Sequence, residues 1–187
     1  DGAIKYWLRV ADGKRYEYIQ QADGSILPPE GRFERVVPQG DGSVHLIALD
    51  ESRQVFRADG KLSATLDANG NTLSYRYDPN GLLTGMEDGN GRALSFIYNS
   101  GGRIALVTDH SGRRWSYDYD AAGNLIGVTD PLGGIQRYAY QAYTPTGDGY
   151  TYYHLTQVTD PSDVVVTQVT YSNERVASYS MAENRYT

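Results

Sequence analysis

The chain has 187 residues, of which 40% are hydrophobic, enough to bury a core and too many for an intrinsically disordered segment. Seventeen basic against 23 acidic residues give a net charge of −6, which argues against sequence-independent binding to nucleic acid or to anionic membranes. The absence of cysteine removes disulfides and thiolate metal sites, and no apolar run reaches the roughly 18 residues of a membrane span.

The first residues, Asp1-Gly2-Ala3-Ile4-Lys5, have neither the basic start nor the apolar stretch of a signal peptide, and the lack of an initial Met reads as an excised piece. Seventeen Tyr against 3 Phe, with 21 Gly, suit half-buried strands joined by tight turns. Over residues 1–52, strands are expected at Trp7–Val10, Arg15–Ile19, Phe33–Val37 and Val44–Leu49. Turns at Ala11–Lys14, Ala22–Ser25 and Gly40–Ser43 separate them. This stretch is expected to form degenerate, irregular repeats at the start of a repeat core, continuing the same sheet.

From residue 53 a strict period appears. Phe56, Tyr77, Tyr98, Tyr119 and Tyr140 are each 21 residues from the last, and the glycines Gly60, Gly81, Gly102 and Gly123 keep the same step. So do Asp67, Asp88, Asp109 and Asp130, as well as a second row of glycines, Gly70, Gly91, Gly112 and Gly133. These aromatic, glycine and aspartate residues define the repeat structurally. Leu73-Ser74-Tyr75-Arg76-Tyr77 alternates large with polar, as a one-faced strand does, and Trp115–Tyr119 repeats the pattern. In the following strand the apolar residues, Leu83 and Met86, Ile104 and Val107, Leu125 and Val128, stand three apart, which implies a bulge, strong twist or burial on both faces. One unit therefore makes one hairpin, and residues 53–140 make four.

After Tyr140 the step lengthens to 31, reaching Tyr171. Residues 141–176 are read as an enlarged repeat with a loop insertion around Tyr143–Tyr150, and residues 177–187 as a partial repeat or tail. Tyr143, Tyr150, Tyr152 and Tyr153 are candidate ligand contacts, because exposed aromatic rings stack on sugars.

No residue set points to catalysis, a cofactor or a metal. Asp67-Ala68-Asn69-Gly70-Asn71 fails the spacing of a calcium loop, and one Asp per hairpin fits turn capping. His45, His110 and His154 lack ligand spacing and are expected at the surface or rims, and no nucleophile motif is present. The chain is therefore expected not to be an enzyme and to use no cofactor.

The units Tyr77-Asp78-Pro79-Asn80-Gly81-Leu82-Leu83 and Tyr119-Asp120-Ala121-Ala122-Gly123-Asn124-Leu125, with Val128-Thr129-Asp130-Pro131-Leu132-Gly133, resemble the tyrosine-aspartate (YD) repeats of Rhs proteins. The resemblance covers residues 53–140 well, 150–176 loosely and the N-terminal third in general character. It implies an all-β fold of tandem antiparallel hairpins forming a curved open sheet, a segment of the hollow β-cocoon of bacterial polymorphic toxins. In that family the shell encloses a variable C-terminal toxin and is exported, often through a type VI secretion apparatus or, in insecticidal complexes, a companion pore. The implied partners are the rest of the shell, the enclosed toxin and a secretion-apparatus spike. Family shells also cleave themselves near the end of the core with paired aspartates. Asp130-Pro131-Leu132-Gly133 resembles part of that segment, but it sits at the ordinary repeat position without the remainder, so no catalytic residue is carried over. Asn99 and Ser172 replace the Asp of the motif and are expected to weaken their turns. The alternative is a carbohydrate-binding or cell-surface adhesion module, and exposed sheet edges are expected to support weak self-association.

Overall fold

The computed structural model describes residues 3–147, 149–172 and 175–181, and among them all regular structure is β. The unit of construction is one turn, used repeatedly. In Asp67-Ala68-Asn69-Gly70-Asn71, the N–H of Asp67 donates to the carbonyl of Asn71 (3.0 Å) and that of Gly70 to the carbonyl of Asp67 (3.0 Å). This is a three-residue hairpin loop, a type I turn followed by a residue in the left-handed region, here Gly70 at φ 86°. The same pair of bonds recurs at Arg57–Lys61, Asp78–Leu82, Asn99–Arg103, Asp109–Arg113, Asp120–Asn124, Asp130–Gly134 and Asp160–Val164. Glu51 and Asp163, the two non-glycine residues at positive φ (64° and 61°) among the described residues, occupy the glycine place of their own turns.

The chain divides into two compact units, residues 1–93 and 94–187. In the first, β1 (Lys5–Arg9), β2 (Arg15–Gln20) and β3 (Ile26–Leu27) form a separate three-stranded antiparallel sheet. The expectation that the whole N-terminal stretch continues the repeat sheet is corrected here. Turn chemistry alone does not tell which strands share a sheet. A ladder begins with β4 (Arg35–Pro38) and runs in sequence order through β5 (Val44–Ile47), β6 (Arg53–Phe56), β7 (Leu62–Leu66), β8 (Thr72–Tyr77) and β9 (Leu83–Asp88). Phe33, expected in a strand, lies before β4 and is exposed. The second unit carries a like ladder: β10 (Ala93–Tyr98), β11 (Ile104–Asp109), β12 (Arg114–Tyr119), β13 (Leu125–Thr129), β14 (Ile135–Tyr143), β15 (Tyr152–Thr159), β16 (Val165–Ser172) and β17 (Arg175–Met181). Residues 182–187 of the expected tail lie outside the described residues, whereas 177–181 belong to β17.

The three-residue spacing in the second strands has one cause, a bulge. Tyr77 pairs with Leu83 and Arg76 with Gly85, so Thr84 has no partner across the ladder, and Leu83 and Met86 come to the same face. Ser63, Ala105, Ile126, Thr156 and Ala177 are skipped in the same way opposite Phe56, Tyr98, Tyr119, Tyr140 and Tyr171. Where the skipped residue has a hydroxyl it donates to the carbonyl just before the aromatic: Ser63 to Val55 (3.0 Å), Thr84 to Arg76 (3.3 Å), Thr156 to Ala139 (3.1 Å).

Between hairpins the pairing is short. β7 meets β8 over three residue pairs, Ala64 with Ser74, Thr65 with Leu73 and Leu66 with Thr72, and β11–β12, β13–β14 and β15–β16 are likewise limited to three. At three of these seams a tyrosine hydroxyl closes the gap beyond the last pair. Tyr77 donates to the carbonyl of Leu62 (2.8 Å), Tyr119 to Ile104 (2.9 Å) and Tyr171 to Leu155 (2.9 Å). The acceptor in each case is the residue just before the bulge.

Two substitutions test this account. Tyr119→Phe removes one seam hydrogen bond and is expected to lower unfolding stability by about 1 kcal/mol in urea titration. Asp163→Gly is expected to raise it by about 0.5–1 kcal/mol, because the left-handed region costs a non-glycine residue roughly 1–2 kcal/mol and glycine's extra entropy returns less than that. The ion pair that Asp163 makes with Arg137 (2.7 Å) is exposed and contributes little.

Candidate functional site

Phe56, Tyr77, Tyr98 and Tyr119 end the first strands of their hairpins, and Tyr140 holds the equivalent place within the longer β14. All five rings are half-buried. Buried apolar side chains are scarce: among the described residues only Tyr18 and Leu46 qualify. The aromatic rows are therefore covered mainly by side chains of neighbouring strands on the same face. Gly60, Gly81, Gly102 and Gly123 take the left-handed turn position. The flexible tip of Lys61 lies over Gly81 and the Arg103 guanidinium over Gly123, where a Cβ would displace them. These cations, one repeat earlier, also lie 5.9 Å from the Tyr77 and Tyr119 ring centroids.

Asp67, Asp88, Asp109 and Asp130 stand at the other rim of the hairpins, where each Oδ1 accepts two backbone N–H bonds, from the residues two and four further on. The carboxylates are thus committed to turn capping. Asn99 accepts the same pair, from Gly101 (2.9 Å) and Arg103 (3.0 Å), so its replacement of Asp keeps the turn geometry. The irregular N-terminal turns, and that of the first regular hairpin at Asp59, are capped from another position. Asp12, Asp23, Asp41, Asp50 and Asp59 sit third in the turn and each accepts the N–H two residues on.

These bonds favour the ionised carboxylates. The Asn71 amide, followed by the Asn71 N–H, draws the Asp67 carboxyl below its ordinary value, the Arg92 N–H does so for Asp88, and the Asn124 amide for Asp120. At Asp109 burial pushes the carboxyl up but is outweighed by bonds from Ser111 and Arg113, leaving it well below the usual range.

In the first unit Tyr18, Glu34 and Arg32 form a partly buried polar cluster. The Tyr18 hydroxyl donates to a Glu34 carboxylate oxygen, which also accepts from Arg32, while the other oxygen accepts the Phe33 N–H (3.1 Å). Burial, followed by the bond to Glu34, pushes the Tyr18 hydroxyl up to about 12. This cluster ties β2 of the small sheet to the segment entering β4.

The insertion is an extended hairpin, β14–β15. Tyr143 pairs with Tyr152 and Ala142 with Tyr153, so Tyr153 faces away from the Tyr143–Tyr152 pair and the four candidate tyrosines do not make one platform. Tyr150 is 70% exposed in the connecting loop, where the Thr144 and Thr151 hydroxyls lie 2.8 Å apart. Asp148 of that loop lies outside the described residues. His154, expected at the surface or a rim, sits half-buried within β15, its ring stacked on Tyr171 (4.6 Å between centroids, 28°) and tilted against Tyr143 (5.8 Å). Counting from the regular period misses this grouping, because the insertion decides which residues pair. Among the described residues no group of three or more His, Asp or Glu side chains is arranged to hold a metal.

Hairpins of fixed length, a bulge opposite each repeat aromatic and a capped glycine turn at either end define a tandem β-hairpin repeat array. The RHS Repeat family profile matches residues 58–93, 98–135 and 119–143, so this stretch of the chain carries Rhs-type repeats. No curated protein matches it. Its fold is similar to the crystal structures of TcdB2–TccC3 (TM-score 0.54, 13% identity, 92% of this chain and 10% of that one) and TcdB2–TccC3–TEV (TM-score 0.52, 13% identity, 92% and 9%). It is also similar to the Tc holotoxin pore of Photorhabdus luminescens (TM-score 0.50, 18% identity, 86% and 10%). The chain spans about a tenth of the length of these proteins.

Capping gives the fold a definite pH dependence. A carboxylate whose folded pKa lies below its unfolded value of 3.8 contributes stability above about pH 4 and loses it as pH falls through the folded value. Urea midpoints are expected to stay level from pH 7 to 5 and then drop below 4, with a smaller drop when Asp67, Asp88 and Asp120 are all replaced by Asn. At the other extreme, a tyrosine whose pKa rises from 10.0 to about 12 contributes stability that is lost as pH climbs through that interval. Tyr18→Phe is expected to reduce the alkaline fall.

Proposed function

We propose that this chain is a wall segment of the hollow β-shell of a larger exported Rhs-type bacterial toxin, which encloses a C-terminal toxin domain and helps to deliver it. The role is structural and the chain is not an enzyme. The observation that carries this reading is the commitment of the repeat's polar and aromatic groups to its own walls. The turn carboxylates cap backbone N–H groups, and the tyrosine hydroxyls bridge strands. The likeness in fold to Tc toxin structures agrees with it. Partners on this reading are the remaining repeats, the enclosed toxin and a delivery device such as a type VI spike or a companion pore. Among the described residues no helix is long and apolar enough to cross a membrane. Self-association through sheet edges is weak, since β4 has only four residues and ends in Pro38.

Limited proteolysis of the full-length parent tests the enclosure. The domain that follows the repeats is expected to resist protease while attached to the intact array and to be digested readily when expressed alone. Equal digestion in both forms rejects the proposal.

A second reading rests on the exposure of Tyr150 (70%), Tyr152 (46%) and Tyr153 (41%) on the extended hairpin, which suits stacking against sugar rings. Glycan-array binding that disappears when all three are replaced by Ala is the expected result for a carbohydrate-binding or adhesion role. An array without hits counts against it.

A further inference from the structure

Three turns carry the pair Asn-Gly at the same place, with Asn third and the left-handed glycine fourth: Asn69-Gly70, Asn80-Gly81 and Asn90-Gly91. All three asparagines are exposed, and in each turn the glycine N–H donates to the carbonyl of the first Asp, at 3.0, 3.0 and 3.2 Å. In an Asn-Gly pair the main-chain nitrogen attacks the side-chain amide more readily than in other pairs, because glycine has no side chain to obstruct the approach. With the dipeptide and its main hydrogen bond matched, the surroundings decide which pair reacts, and they differ in two ways. The N–H of Asn69 is held by the Asp67 carboxylate (2.9 Å) and that of Asn90 by Asp88 (2.9 Å), whereas among the described residues Asp78 Oδ1 accepts from Leu82 (2.8 Å) and not from Asn80. Nothing lies within 4 Å of where a Cβ would stand on Gly70 or Gly91, but on Gly81 the Lys61 ammonium lies 2.6 Å from that point, against the glycine backbone. Lys61 is held there by Asp59 (3.6 Å) and by the face of the Tyr77 ring (5.9 Å).

We propose that Asn80 is a site of spontaneous deamidation in the folded chain, selected over Asn69 and Asn90 by the Lys61 ammonium. The Gly81 nitrogen bonds to Cγ of Asn80, and the tetrahedral intermediate expels the side-chain nitrogen as ammonia, which carries away the proton lost from Gly81. A five-membered succinimide remains. Water then adds to one of its two carbonyls and opens the ring, leaving aspartate or isoaspartate at position 80, so one water is consumed and nothing is oxidised. Negative charge builds on the Gly81 nitrogen and on the amide oxygen as the new bond forms, and a cation against the same backbone stabilises it. Isoaspartate adds one carbon to the main chain. In a three-residue loop that joins β8 to β9 and holds Gly81 at φ 85°, the extra atom disrupts the bonds from Asp78 to Leu82 and from Gly81 to Asp78. The hairpin thus carries an irreversible mark of its age. The site needs only the folded hairpins and does not depend on the wall-segment reading.

The test incubates the full folded chain at neutral pH and body temperature, digests it at acidic pH, where the reaction is slow, and follows each Asn-Gly peptide by mass spectrometry. Isoaspartate is counted separately by enzymatic methyl transfer to its free α-carboxylate. Asn80 is expected to convert about fivefold faster than Asn69 and Asn90, the scale of one charge–charge contact in water. Lys61→Met is expected to remove most of that lead and Lys61→Arg to keep it, with circular dichroism and the urea midpoint checking the fold of each variant. On the unchanged protein, high salt is expected to shrink the lead and unfolding in urea to abolish it, which keeps the test decisive if Lys61→Met does not fold. Equal rates at the three asparagines in the folded chain overturn the proposal. A lead for Asn80 that survives Lys61→Met, high salt or urea assigns the preference to the local sequence Pro79-Asn80 and overturns the role of Lys61.

Discussion

A bulge in an antiparallel ladder frees backbone groups that must find partners, and in the hairpins from β6–β7 to β16–β17 the bulge recurs in the same place. Skipping Thr84 brings Leu83 and Met86 onto the face of Tyr77 and Tyr75, which concentrates the apolar side chains on one side. It also ends the pairing with the neighbouring hairpin early and leaves a carbonyl beyond the last pair. The tyrosine hydroxyl from the next repeat reaches that carbonyl. A phenylalanine would fill the same space and leave the carbonyl unmet. This gives a physical reason for tyrosine rather than phenylalanine at positions 77, 119 and 171.

The scarcity of fully buried side chains gives these polar links unusual weight. With few apolar groups enclosed, local closures do much of the stabilising: carboxylates on turn amides, hydroxyls on bulge carbonyls, cations over tyrosine rings. Stability of this kind is distributed along the repeat and depends on neighbours. It is also exposed to pH in a way that an apolar core is not, because its most frequent element is an ionised aspartate.

Much of this was legible in the residues themselves. The 21-residue step, the alternation at Leu73–Tyr77 and the Asp-x-x-Gly turns follow from chain chemistry and locate the regular hairpins. The three-residue spacing of Leu83 and Met86 left bulge, twist and two-faced burial open, because all three place apolar residues alike in one dimension and only cross-strand register separates them. The separate sheet of β1–β3 was hidden because its turns use the same Asp-Gly chemistry as the others. The His154 grouping was hidden by the insertion, since a ring contact between residues 143, 154 and 171 depends on which strands pair. The Tyr18–Glu34–Arg32 cluster carried no motif and is visible only as a packed site.

The alternation of long and short pairing also bears on mechanics. Within hairpins such as β8–β9 the strands are joined by at least four residue pairs and a turn, whereas β7–β8, β11–β12, β13–β14 and β15–β16 are joined by three pairs and, at three of them, a single side-chain bond. Pulled across its strands, such a sheet does not tear at random. It opens like a perforated strip, along seams spaced one repeat apart, and releases two-stranded panels whose inner ladders are intact.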